Sequence, residues 1–152
     1  MSASKTVLFV EDDPRDQELA LNALSHHDLS VTVVFVDNGE EALDYLYCRG
    51  KFERRPEGLP LVVILDMKMP KVDGLEVLRH IRSEPMMHLL PVVFLTSSRE
   101  EGDLRQGYEL GANAYVVKPV DFKEFSRKVR HIGLFWTGDN EPPPSPLKRT
   151  HP

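Results

Sequence analysis

Between residues 61 and 65 every position is apolar (Leu-Val-Val-Ile-Leu), and an aspartate, Asp66, follows at once. A strand that is apolar on both faces belongs in a sheet covered on both sides. Such sheets are parallel, because the crossovers between parallel strands place helices on each face. This one run therefore predicts what its neighbours must be.

They comply. Short β-rich runs at 6–10, 31–36, 92–95 and 115–117 alternate with helical patterns at 14–24, 40–47, 75–82, 99–110 and 122–135. The predicted fold class is α/β: a doubly wound, five-stranded parallel sheet with helices on both faces. Several helix starts are chemically marked. Asp13 precedes Pro14, a cap followed by a first helical residue. Asn38 with Glu41, Ser98 with Glu101 and Asp121 with Glu124 have capping-box spacing. His26-His27 ends the first helix, where imidazole suits the negative dipole end.

The 152 residues suit one domain, expected over 5–136. From Thr137 the chain turns polar and proline-rich, so 137–152 is expected to be an extended or disordered tail. The loop 48–60 is polar, basic and long for its kind. A net charge of −5 argues against holding nucleic acid by charge alone. Cys48 is the only cysteine, which rules out an internal disulfide and fits a reducing cytoplasm. The N-terminus lacks the pattern of a signal peptide, and no apolar run approaches the roughly 20 residues that span a bilayer. No membrane partner is expected.

In an open α/β sheet, ligands bind at the carboxyl ends of the strands. There the chain places Glu11, Asp12 and Asp13 after strand one, Asp66 after strand three, Thr96 to Ser98 after strand four, and Lys118 after strand five. Each has an ordinary reading. Asp13 caps a helix, Asp66 starts a turn that continues through Pro70 and Asp73-Gly74, Thr96 and Ser97 are cap residues, and Lys118 is surface. Joint placement on one edge favours chemistry. Gathered carboxylates repel unless a cation joins them, and Mg²⁺ suits hard oxygens and leaves room for phosphoryl oxygens. Asp66 would be the nucleophile, Thr96 a hydrogen-bond donor and Lys118 a positive charge for a transferring phosphoryl group.

The segments LFVEDDP, VVILDMKMPKVDG, PVVFLTSS and ANAYVVKP, in this order and spacing, resemble the receiver domains of two-component response regulators. The resemblance covers about residues 5–136. It implies a flavodoxin-like fold and phosphorylation of Asp66 by a sensor histidine kinase. It also implies Mg²⁺ held by Glu11, Asp12, Asp66 and the main-chain carbonyl of Lys68. It makes Thr96 and Tyr115 a switch pair and Lys118 the phosphoryl-binding lysine, with a cis Lys118–Pro119 bond. The acidic pair here is Glu-Asp rather than the commoner Asp-Asp. YLYCRGKF and the later LFW resemble small response regulators that partner bacterial and cyanobacterial phytochrome kinases. A receiver is a phosphoacceptor that assists its own phosphorylation and dephosphorylation, not an enzyme in the turnover sense. No DNA-binding segment follows, so output by protein contact is expected.

A metal-dependent phosphatase of the haloacid dehalogenase type is the alternative. It needs a second acid two residues after the nucleophile, and Lys68 stands there. An inert interaction module would not need so complete an acidic site. Phosphate-binding glycine motifs are absent, and the six histidines lack H-x-x-x-H or H-E-x-x-H spacing. In the last helix, Phe122, Phe125, Val129, Ile132 and Trp136 form one stripe facing the sheet. Leu134 and Phe135 fall off it, on the polar side or past the helix end after Gly133. They are expected to be exposed and to form a homodimer interface with the faces of helix four, strand five and helix five.

Overall fold

The computed structural model describes residues 5–25 and 31–144. Five parallel strands, β1 (Thr6–Val10), β2 (Thr32–Val36), β3 (Val62–Leu65), β4 (Val92–Thr96) and β5 (Ala114–Val117), lie in the order β2-β1-β3-β4-β5. They alternate with α1 (Pro14–Leu24), α2 (Gly39–Tyr47), α3 (Gly74–Ser83), α4 (Glu101–Glu109) and α5 (Phe122–Leu134). This is the doubly wound parallel architecture that the unbroken apolar run predicted. His26 and His27 lie outside the described residues, as does the tail beyond Pro144.

The alternation of side chains along each strand divides the core in two. Leu8, Val10, Val63, Leu65, Val92 and Phe94 face α2 and α3. Val7, Phe9, Val62, Ile64, Val93 and Leu95 face α1 and α5. All four residues of β3 are completely buried, which stabilises the fold by roughly 1.5–3 kcal/mol per side chain.

Most helix starts follow the marked residues. The side chains of Asp13, Asn38 and Asp121 accept from the backbone N–H of Arg15, Glu41 and Glu124. Asp73 caps α3 in the same way through Glu76 N–H. Two details differ. Glu41 returns its bond to the N–H of Asp37 rather than that of Asn38. Ser98 does not cap α4; its hydroxyl donates to Asp103 at 2.5 Å, and Glu100 holds the cap position without a side-chain bond. The Ser98 oxygen still accepts from Glu100 N–H at 3.3 Å, since a hydroxyl donates and accepts at once; because α4 begins at Glu101, that bond falls on the cap residue rather than on the first turn.

The end of α5 corrects the sequence reading. Gly133 does not stop the helix. The winding continues through a widened π turn, Phe135–Asp139, closed by Asn140 N–H donating to Phe135 O at 2.6 Å. Thr137, expected to begin a loose tail, is 7% exposed, and its hydroxyl donates to Gly133 O at 2.6 Å. Lys5 Nζ donates to Thr137 O at 3.4 Å, tying this turn to the start of β1. The loop 48–60 is also structured. It contains the 3-10 turn Gly50–Phe52, and the Arg55 guanidinium lies 3.9 Å from the centre of the Tyr45 ring while donating to Tyr45 O, Pro56 O and Gly58 O.

Candidate functional site

The strand register builds the site. Val36, Val10, Leu65, Phe94 and Tyr115 form one row across the sheet. The ladder continues one residue past β1 and β3. Glu11 N–H donates to Val36 O and Asp66 N–H donates to Val10 O, both at 3.1 Å. Glu11 and Asp66 therefore leave the sheet side by side, at the crevice where the chain reverses its winding direction. Gly74 secures the approach from the other side. Its N–H donates to Met67 O at 2.9 Å, and a Cβ there would collide with the Asp66 carbonyl. The Asp73-Gly74 pair is thus a close-packing requirement as well as a turn.

Glu11 is 1% exposed and Asp66 8%, while Asp12 is exposed. Oxygens of these three carboxylates lie within 4.8 Å of one another. Among the described residues this is the one acidic, histidine or cysteine group close enough to share a metal ion. Such a trio of hard oxygens, with an exposed member on the solvent side, fits a partly hydrated divalent cation.

Lys118 closes the site from β5. Its Nζ lies 2.6 Å from Glu11 Oε1, 3.0 Å from Asp16 Oδ2 and 3.3 Å from Asp66 Oδ2. Burial, helped by the charge of Asp66, outweighs the hydrogen bond and charge of Lys118 and leaves the Glu11 carboxyl at about 7. Burial also raises Asp66, opposed by Lys118 and by hydrogen bonds from Lys68 N–H and Thr96. Burial disfavours the charge of Lys118, but the Glu11 hydrogen bond and the charges of Asp66 and Glu11 outweigh it and hold the amine above the usual lysine range. The two ends of the Lys118–Glu11 pair shift the same way for a simple reason. The amine meets three carboxylates, whereas Glu11 is the more deeply buried partner and also faces Asp66.

Thr96 is completely buried at the end of β4. Tyr115 is half-buried, its ring near Phe94 and Tyr108 and its hydroxyl donating to Ser98 O at 3.0 Å. Lys68 extends outward, and its Nζ lies 3.5 Å from Asp103 Oδ2 on α4. The Lys118–Pro119 bond is trans, because no cis peptide occurs among the described residues. This corrects the expectation of a cis bond. The isomers of an X–Pro amide differ by only about 0.5–1 kcal/mol, and Lys118 reaches Glu11 and Asp66 from the trans form.

Glu11, Asp12, Asp66, Thr96 and Lys118 thus meet on one edge, with Lys68 and Tyr115 beside them. Leu134 and Phe135 lie elsewhere. Leu134 is half-buried against the α1–α5 core, contrary to expectation, and Phe135 is 47% exposed. Phe122, assigned to the buried stripe, is 63% exposed in the first turn of α5. Two residues escaped the sequence reading. Asp16 joins Lys118, and Gln17 donates through Nε2 to Glu11 O at 2.6 Å and Asp37 Oδ1 at 2.9 Å. The available signal was an acid in the first turn of the helix after the acidic run, which reads equally well as a helix-dipole partner.

Among known proteins, the family model for the response regulator receiver domain matches residues 7–130. Response regulator Rcp1 of Synechocystis sp. is 34% identical over 132 residues, 87% of this chain and 88% of that protein. Its Mn(2+)-bound crystal form aligns with a TM-score of 0.85 at 33% identity, covering 92% of this chain and 99% of that one. The phosphorylated cyanobacterial phytochrome response regulator RcpA aligns with a TM-score of 0.87 at 34% identity, covering 93% and 100%. The bacteriophytochrome response regulator RtBRR is 53% identical, with a TM-score of 0.74 over 96% of this chain and 88% of that one. The phosphatase alternative finds no support here, and Lys68 occupies the place its second acid would need.

Proposed function

This chain belongs to the response regulator receiver domain family and serves phosphorelay signalling, and on that premise we propose that Asp66 is the residue that accepts the phosphoryl group. The observation that carries the reading is the side-by-side exit of Glu11 and Asp66 from the sheet, with Lys118 Nζ 3.3 Å from Asp66 Oδ2. An Asp66 oxygen attacks phosphorus as the P–N bond of a phosphohistidine breaks. The electron pair stays on the imidazole nitrogen, which takes up a proton. Lys118 offers its charge to one phosphoryl oxygen and Thr96 a hydrogen bond to another. Mg²⁺, held by Glu11, Asp12, Asp66 and the Lys68 carbonyl, would neutralise charge on the phosphoryl oxygens. The Mn(2+)-bound form of Rcp1 supports a divalent ion in this role.

The donor would be a sensor histidine kinase in the cytoplasm, of the phytochrome type. The likeness to RcpA and to RtBRR supports that choice. The chain is then a signalling acceptor rather than a turnover enzyme, and its output is protein contact. The route is Thr96 moving toward the phosphoryl group and Tyr115 exchanging its bond to Ser98 O for a new position, which biases the face of α4, β5 and α5. That face would also pair two copies. Tyr108 on α4 and Phe135, just past α5, would supply exposed apolar surface for that contact, while Leu134 would contribute less because it is half-buried.

Incubation with acetyl phosphate and Mg²⁺, followed by intact-mass measurement, tests the reading. The wild type should gain one phosphoryl group, and a folded Asp66→Asn variant none. Uptake by Asp66→Asn at the wild-type rate, or steady turnover of small phosphoesters, contradicts it. Sedimentation of wild type and Phe135→Glu tests the pairing: a dimer that becomes a folded monomer supports it, and a wild type that stays monomeric when phosphorylated refutes it.

A further inference from the structure

Lys118 has three N–H bonds and meets three carboxylates: Glu11 at 2.6 Å, Asp16 at 3.0 Å and Asp66 at 3.3 Å. Its capacity as a donor is full. Two of these acceptors, Glu11 and Asp66, also belong to the trio whose oxygens lie within 4.8 Å of one another, and Asp16 does not. A cation that engaged the trio would compete with the amine for Glu11 and Asp66 oxygens. Asp16 is the acceptor outside that competition.

Its position suits the task. Asp13 caps α1 and Pro14 begins it, so Asp16 falls in the first turn, beside the site. An acid there commonly serves only the helix dipole. This one instead aims Oδ2 at Lys118 across 102 residues of sequence. Its side chain is 24% exposed, against 1% for Glu11, so it can follow a small movement of the amine.

We propose that Asp16 is a positioning residue for phosphoryl transfer. It keeps the Lys118 ammonium at the mouth of the site when the other two carboxylates turn to the metal ion, so that the charge is in place for the incoming phosphoryl oxygens. The inference rests on the reading of Asp66 as phosphoacceptor. Without Asp16, a lysine released by Glu11 and Asp66 swings toward water and must be recaptured at each transfer.

The test separates the phosphorylation rate from metal affinity. Asp16→Ala and Asp16→Asn are compared with wild type for Mg²⁺ affinity by calorimetry and for phosphorylation by acetyl phosphate at saturating Mg²⁺. Asp16→Ala should bind Mg²⁺ about as well as wild type and phosphorylate roughly tenfold more slowly. Asp16→Asn keeps an acceptor oxygen but loses the charge, and should fall between. A rate at or above that of wild type in Asp16→Ala overturns the inference. So does a loss of Mg²⁺ affinity that accounts for the slower rate, since Asp16 would then act through the metal. If Asp16→Ala does not fold, the isosteric Asp16→Asn decides, and a wild-type rate there overturns the inference. A wild type that takes up no phosphoryl group overturns the Asp66 reading and this inference with it.

Discussion

The carboxyl edge of the sheet and the C-terminal end of α5 are built on opposite terms. At the sheet edge, Glu11 and Asp66 are buried carboxylates joined by the part-buried amine of Lys118. Charges out of water admit few arrangements, because each needs a partner within hydrogen-bond reach. At the end of α5, Leu134, Phe135, Trp136 and Thr137 are apolar or small groups. They can pack in several ways at similar free energy, and a single π turn redistributes them between core and solvent. Pattern is therefore strongly informative at the first region and weakly so at the second.

Removing charge at the sheet edge should have the largest effects. Lys118→Met leaves Glu11 and Asp66 without their cation and should slow phosphorylation by ~10²–10³-fold. Rapid-quench measurement with acetyl phosphate checks this, and a loss under tenfold would show that the edge tolerates rearrangement as freely as the helix end does. Next comes pH. The folded Glu11 carboxyl titrates near 7 against an ordinary 4.5, so the folded state holds that proton more tightly than the unfolded chain. The contribution to stability is complete below the ordinary value and falls as pH rises through that window, by about 3 kcal/mol at most. Asp66 is shifted in the same direction. Urea titrations without divalent ions should thus show greater stability near pH 5 than near pH 7.5, and saturating Mg²⁺ should flatten the difference. Asp12→Ala, which removes the exposed carboxylate of the trio, should weaken Mg²⁺ binding at least tenfold while leaving stability nearly unchanged.

Effects at the end of α5 should be smaller and confined to stability or association. Leu134→Glu places a charge against the α1–α5 core and should cost about 1–3 kcal/mol by chemical denaturation. Thr137→Val removes the hydroxyl bond to Gly133 O and should cost about 1 kcal/mol. Phe135→Glu should change monomer stability by no more than about 0.5 kcal/mol. If Leu134→Glu proves as neutral as Phe135→Glu, Leu134 lies in water, as the spacing alone had implied.

What the sequence made legible follows the same division. The apolar run before Asp66 announced a doubly covered strand, and all of β3 is buried. The strand-end rule then gathered Glu11, Asp12, Asp66, Thr96 and Lys118 without any knowledge of register. Asp16 was not legible, because its partner is remote in sequence and its local setting already explained it. Ser98 has capping-box spacing to Glu101, but α4 begins at Glu101 with Glu100 at the cap position, so the Ser98 oxygen meets Glu100 N–H instead of the first turn. The end of α5 failed differently. Composition places Thr137 in a loose tail, because the chain turns polar and proline-rich there, but the π turn carries it back into the fold and buries it.

The identity of the phosphoacceptor is tested most directly by locating the modification. After incubation with acetyl phosphate and Mg²⁺, borohydride reduction converts an aspartyl phosphate to homoserine, and peptide sequencing by mass spectrometry then finds the converted residue. Conversion at position 66, with Asp12 and Asp16 unchanged, is the predicted result. Conversion at Asp12 or Asp16 with Asp66 intact would contradict the account.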